Sequence, residues 1–159
     1  MRYETAAIRR QDRLLDEAHA WELLLAGEYG VLSMSTEQGG YGVPVNYAVA
    51  EDIIYIHCAP QGRKLQAIAS DGRVSFCVVG HKRIVPEEFT TEFESVIVTG
   101  QAHIVKDDAQ RTKALQLIVE KYSPDHIDEG LRAIERSLHR TTIIAIRIET
   151  YSGKKKEIA

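Results

Sequence analysis

From Asp12 to Ala26, apolar residues fall at Leu14, Leu15, Ala18, Trp21, Leu24 and Leu25, three and four apart, and Gly27 follows as a stop. That spacing predicts an amphipathic helix over 12–26. Beyond it the pattern shortens to runs of β-branched and aromatic residues: Tyr29 to Ser35, Tyr41 to Ala50, Ile53 to Ala59, Arg73 to Val79, Ser95 to Val105 and Thr141 to Glu149. Each reads as a strand, giving six. Only Thr36-Glu37-Gln38-Gly39-Gly40 separates the first two and Glu51-Asp52 the next pair, so both connections are antiparallel hairpins.

Helical composition returns three times. Gln61 to Ser70 predicts a short helix between the third and fourth strands. Asp107, with Gln110 three residues on, is a capping-box start for a second, which continues through Ala114, Leu115, Leu117, Ile118 and Val119. Ser123-Pro124 starts a third, with Ser as N-cap and Pro at the first helical position, carrying Ile127, Leu131, Ile134 and Leu138. Two late helices over about 107–138, inserted before the last strand of an antiparallel set, predict a small Greek-key barrel with helical additions.

The 159 residues suit one domain, 1–159, and a 44% hydrophobic fraction with 27% charged residues excludes disorder or a fibrous repeat. Twenty Lys and Arg against 23 Asp and Glu leave a net charge of -3, which argues against a general nucleic-acid binder. The short Lys154-Lys155-Lys156 run reads as a solvated tail. No apolar stretch approaches the roughly 18 to 20 residues of a membrane helix. The N-terminal Arg2, Glu4, Arg9, Arg10, Asp12 and Arg13 lack the apolar run of a secretory signal, so cytoplasm is the expected location. Cys58 and Cys77, each inside a strand-like run, are expected to be buried free thiols.

Candidate chemistry centres on Tyr55-Ile56-His57-Cys58-Ala59-Pro60-Gln61-Gly62-Arg63-Lys64-Leu65, a strand, a Pro/Gly turn and two cations where a helix begins. A helix start carries free N–H groups and partial positive charge, so Arg63 and Lys64 oppose the dipole unless an anion sits there. A phosphate is the economical anion; the plain alternative is an exposed basic turn. Gly40 and Gly42 begin a G-x-G-x-x-G pattern, but position 45 is Val, so this is a hairpin turn. None of the six His falls in a metal-binding spacing, and no metal is expected. Asn46, an amide in the apolar run Val43 to Val49, either faces solvent or aims a donor and an acceptor at a heteroaromatic ligand.

These segments together resemble a known group. Glu28 to Ser33, Tyr41 to Tyr47, Tyr55 to Ala59 with Gly62 to Leu65, Arg73 to Val79 and Phe93 to Gly100 are similar to the FMN-binding split-barrel proteins. Within these the chain looks closest to the Nim 5-nitroimidazole-resistance group of the pyridoxamine 5′-phosphate oxidase-like superfamily. The resemblance spans about Arg9 to Gly153. It implies a six-stranded antiparallel split barrel that forms a homodimer, with two FMN molecules in clefts at the subunit interface.

By the same resemblance, Gly62, Arg63 and Lys64 hold the FMN phosphate. Val45, Asn46 and Tyr47, with His57, Cys58 and Ala59, line the flavin ring and ribityl chain. Ser95 stands where pyridoxamine-phosphate oxidases usually have a Gln touching the flavin. The C-terminus, Ile148 to Lys154, lacks the Arg- and Trp-bearing tail that completes their vitamin B6 site. The implied activity is therefore reduction of a small acceptor such as a nitroimidazole, with His57 as the expected catalytic residue because histidine moves protons near neutral pH; the plain alternative is a core or interface histidine bonded to a backbone carbonyl. A flavin-binding module without turnover, and haem binding through His57 or another histidine, are the competing functions.

Overall fold

A computed structural model describes residues 1–158. Among the described residues, eight strands form one sheet: β1 (Arg2–Tyr3), β2 (Gly30–Thr36), β3 (Gly39–Val45), β4 (Ala48–Ala50), β5 (Ile53–Cys58), β6 (Arg73–Val85), β7 (Thr90–Val105) and β8 (Thr142–Lys156). Four α-helices accompany them: α1 (Glu17–Ala26), α2 (Arg63–Ser70), α3 (Asp108–Tyr122) and α4 (Ile127–Ser137). Among the described residues, no helix is long and apolar enough to cross a membrane.

The sheet runs β3-β2-β6-β7-β8-β5-β4, antiparallel throughout, with β1 added in parallel beside β8. Its two ends, β3 and β4, are one stretch of chain interrupted only by Asn46 and Tyr47, so a single strand leaves β2, bends and pairs with β5. That bend closes the sheet into a split barrel and removes its edges.

It also corrects the expected strand count. The predicted run Tyr41 to Ala50 is two strands, because no straight strand can serve both partners, and β1 is an eighth that its two residues could not reveal.

Alternation along each strand sends Leu32, Phe76, Val78, Val96 and Val98 inward, all fully buried or nearly so. Helices α1 and α2 add Leu23, Leu24, Ala67 and Ile68 to this core. Ile143-Ile144-Ala145-Ile146 is buried on both faces of β8 because α3 and α4 cover the outside. Such a strand reads as a continuous apolar run rather than an alternation. Each buried Ile there contributes ~1.5–3 kcal/mol.

A register shift between Thr99 and Gly100 bends the β7–β8 pair. A Cβ at Gly100 would lie 2.1 Å from the Arg147 carbonyl oxygen, so only glycine allows this approach.

Local signals held at some helix ends and failed at others. Asp16 caps α1, accepting from the His19 amide at 2.9 Å, and residues 11–13 form a separate 3₁₀ turn instead of the first turn of the expected helix. Asp107 caps α3 through the Gln110 amide at 2.8 Å, but the Gln110 side chain donates to the Tyr55 hydroxyl instead of completing a capping box. Ser123 makes no side-chain cap; Pro124–His126 is a 3₁₀ turn and α4 starts at Ile127.

Lys154, Lys155 and Lys156 are not a solvated tail. They pair with Ser95, Glu94 and Phe93 of β7, since the long β6–β7 hairpin would otherwise expose an unpaired edge. Both cysteines are free and half-buried, less covered than the sequence predicts.

Candidate functional site

The β4–β5 ladder ends at Ala48 and Tyr55. Continuing its register places Tyr47 opposite Ile56, Asn46 opposite His57 and Val45 opposite Cys58, but there β3 has already turned away toward β2. The two segments diverge and leave a split whose walls are Val45–Tyr47 on one side and His57–Ala59 on the other.

Asn46 and His57 lie on the outer, exposed side, while Val45 and Cys58 are half-buried against the core. His57 and Cys58 thus point to opposite faces, as strand geometry requires. Nearby protein disfavours charge on both: burial lowers the His57 pKa and raises that of the Cys58 thiol, the latter opposed by the ammonium of Lys64.

Helix α2 begins at the end of the β5 wall. Its N-cap Gly62 has φ 147°, a conformation that favours glycine, and offers no side chain to the first-turn amides. The Leu65 and Gln66 amides both return to the Gly62 carbonyl, and the first turn holds no acid. Nothing lies within 4 Å of a Cβ built at Gly62, so the space above the helix start is open. The Arg63 guanidinium stacks over the Tyr41 ring at 4.4 Å, which holds one cation between β3 and the helix start. Shallow hollows of about 250 Å³, lined by Arg63, Gln66 and the β2–β3 turn, and about 340 Å³, lined by Pro60, Gly62 and Leu65, flank this end of α2.

Of the ten predicted site residues, nine gather around the split and the start of α2. Ser95 does not. On β7 it pairs with Val79 of β6 and Lys154 of β8, three strands from β3 and two from β5 in the sheet order.

Sequence reasoning missed what shapes the break. At Asn46-Tyr47 the backbone cannot join either ladder, and one hydroxyl substitutes. Tyr122, at the end of α3, accepts from the Tyr47 amide at 3.0 Å and shares its proton between the Glu28 carbonyl at 2.7 Å and the Tyr47 carbonyl at 2.9 Å. Asn46 Nδ2 donates to the same Glu28 carbonyl at 3.0 Å, so its amide anchors the bend to the chain after α1. The fully buried Tyr47 packs edge-on to Phe76, its hydroxyl donates to the Leu24 carbonyl, and burial pushes its phenol pKa up. A tyrosine at a helix end carries no local signal of such a role; only the 75-residue separation closed by folding reveals it.

With this geometry, comparison with known proteins identifies the family. The sequence model for pyridoxamine 5′-phosphate oxidase matches residues 16–155. The chain belongs to the pyridoxamine 5′-phosphate oxidase family. No curated protein matches it in sequence.

Among solved structures, a conserved hypothetical protein from Mycobacterium tuberculosis superposes with a TM-score of 0.79 at 17% identity, covering 94% of each chain. An FAD and haem binding protein from Mycobacterium smegmatis gives 0.77 at 18% identity, over 90% of this chain and 72% of that one. A candidate 5-nitroimidazole antibiotic resistance protein from Bacteroides thetaiotaomicron gives 0.72 at 18% identity, over 91% and 90%. At such identities the likeness is one of fold. It assigns this member of the oxidase family to the split-barrel architecture.

Proposed function

We propose that this protein is a flavoprotein that holds FMN at the split, acts as a homodimer and passes electrons to small acceptors such as nitroimidazoles. The start of α2 carries the reading: an uncapped helix N-terminus with no acid in its first turn, bearing Arg63 and Lys64 beneath open space. Free N–H groups, a positive helix end and two cations suit an anion, and a phosphate dianion is the economical one. The names of two structural relatives, an FAD and haem binding protein and a candidate nitroimidazole resistance protein, support a flavin and an acceptor of this kind.

Gly62, Arg63 and Lys64 would hold the phosphate. Backbone groups of Val45, Asn46, Tyr47, Cys58 and Ala59 would orient the ring and ribityl chain along the split. When bound, the flavin supplies the electron transfer that no side chain here provides. Nearby protein lowers the His57 pKa, and its exposed ring would give or take a proton at a ring nitrogen on the outer side of the split.

The hollows beside α2 sit at or below the low end of the ~300–1,000 Å³ typical of ligand sites. A second copy would add the missing wall. Val79, 52% exposed and paired with Ser95, and Ile97, 48% exposed, supply apolar surface for such contact. Ser95 would reach a flavin only across that interface. A monomeric mass in light scattering with flavin bound would refute this part.

The visible spectrum, with mass spectrometry of the released ligand, separates FMN from FAD and from haem, the second reading that the mycobacterial relative and the exposed His57 favour. Lys64→Ala and Arg63→Ala each remove charge-assisted bonds worth ~1.5–3 kcal/mol, so FMN affinity should fall at least about tenfold while riboflavin affinity barely changes. Equal losses for both ligands would refute the phosphate role. Steady-state reduction of a nitroimidazole with a nicotinamide donor distinguishes an enzyme from a binding module without turnover.

A further inference from the structure

The ammonium of Lys121, at the end of α3, is buried and has no hydrogen-bond partner among the described residues. It lies 3.9 Å from the centroid of the Tyr47 ring and 5.4 Å from that of Tyr122. Three donors without an acceptor are costly at a buried site, and a methionine would fill the same volume without that cost. What lysine adds is attraction to the ring faces.

Tyr47 is thereby held by two neighbours, the Phe76 ring at a steep angle to it with centroids 4.8 Å apart and the ammonium over its face. Tyr122, next to Lys121 in the chain, holds both the amide and the carbonyl of Tyr47. Two adjacent residues of one helix end therefore fix the ring and the backbone of the residue at which the barrel splits.

We propose that Lys121 is a positioning residue for the flavin cleft, its buried charge holding the Val45–Tyr47 wall through the rings of Tyr47 and Tyr122. This rests on the flavin reading above. The groups that face the ammonium are these two phenols. Burial pushes the Tyr47 phenol up, so it stays neutral across the working range. Glu28, His57, Asp125 and His126, on the elements around the end of α3, make no ion pair or hydrogen bond with Lys121. Burial pushes the Lys121 ammonium down to about 8, so its charge is lost within a testable range.

The test measures FMN and riboflavin affinity for wild type, Lys121→Met and Lys121→Arg from pH 7 to pH 9. At pH 7, Lys121→Met should weaken both flavins by the same factor, about tenfold for a desolvated cation–π contact. Equal loss separates it from the phosphate cations, whose removal spares riboflavin. Wild-type affinity for both ligands should fall as the pH passes about 8, whereas Lys121→Met should show no such fall. Lys121→Arg should keep the pH 7 affinity and lose the decline, because arginine stays charged.

Hydrogen exchange of the Tyr47 amide, measured without ligand at one pH, should quicken in Lys121→Met. A folded Lys121→Met protein with wild-type affinities, pH profile and Tyr47 exchange would overturn the proposal. If wild type binds neither flavin, the flavin reading fails and takes the cleft role with it, and amide exchange alone then decides whether Lys121 fixes the break.

Discussion

Replacing Tyr122 by Phe removes one oxygen atom and keeps the ring, so it isolates the hydroxyl that serves the strand break. That oxygen accepts the Tyr47 amide and donates to the carbonyls of Glu28 and Tyr47. The carbonyl of Glu28 keeps a donor, the side chain of Asn46, so its loss is small. The Tyr47 amide has no other partner among the described residues, and Tyr47 is fully buried. A buried donor left unpaired costs ~1–3 kcal/mol, and about 2 kcal/mol is the central expectation.

For a domain of this size each kcal/mol lowers the melting temperature by ~2–4 °C, so Tyr122→Phe should melt about 4–8 °C below wild type. Thermal unfolding followed by circular dichroism measures this directly. Flavin affinity should fall alongside it, equally for FMN and riboflavin, because the wall moves and the phosphate site does not. A melting temperature within about 1 °C of wild type would refute the reasoning, since water would then be satisfying the Tyr47 amide at the break.

Two further outcomes are expected. His57→Phe should keep the flavin but slow acceptor reduction and remove an acidic limb lying below the usual histidine pKa of ~6.5, since burial lowers this group; unchanged turnover and pH dependence would make His57 structural. Glu92 on β7 is held at a pKa of about 2, first by the Arg83 guanidinium at 2.6 Å and then by the Ile158 amide. A depressed carboxylate pKa stabilises the fold above the unfolded value and loses that contribution as the pH falls through the folded one. The urea midpoints of wild type and Glu92→Gln should therefore differ at pH 6 and converge toward pH 2, and a constant difference would disprove the coupling.

Much of this architecture is a local property of the chain. Alternation in Arg73 to Val79 and Ser95 to Val105, the Asp107 cap, and the Gly62-Arg63-Lys64 helix start are all settled by neighbours within a few residues. Sequence reasoning finds these because side-chain periodicity and capping act at short range.

Where the barrel splits is a different matter. The run Tyr41 to Ala50 has the composition of one strand, and it breaks at Asn46-Tyr47 because the sheet must close on itself, a demand set by β2 and β5 together. The groups that make the break tolerable come from elsewhere: Glu28 from the chain after α1, and Lys121 and Tyr122 from the end of α3, about 75 residues on. The lysines at 154–156 join β8 because the β7 edge beside them needs partners, whatever their charge. Ser95, aligned with the others by resemblance, lands three strands from β3. Each of these outcomes depends on satisfying backbone polar groups and closing an edge, and those requirements exist only once distant segments have met.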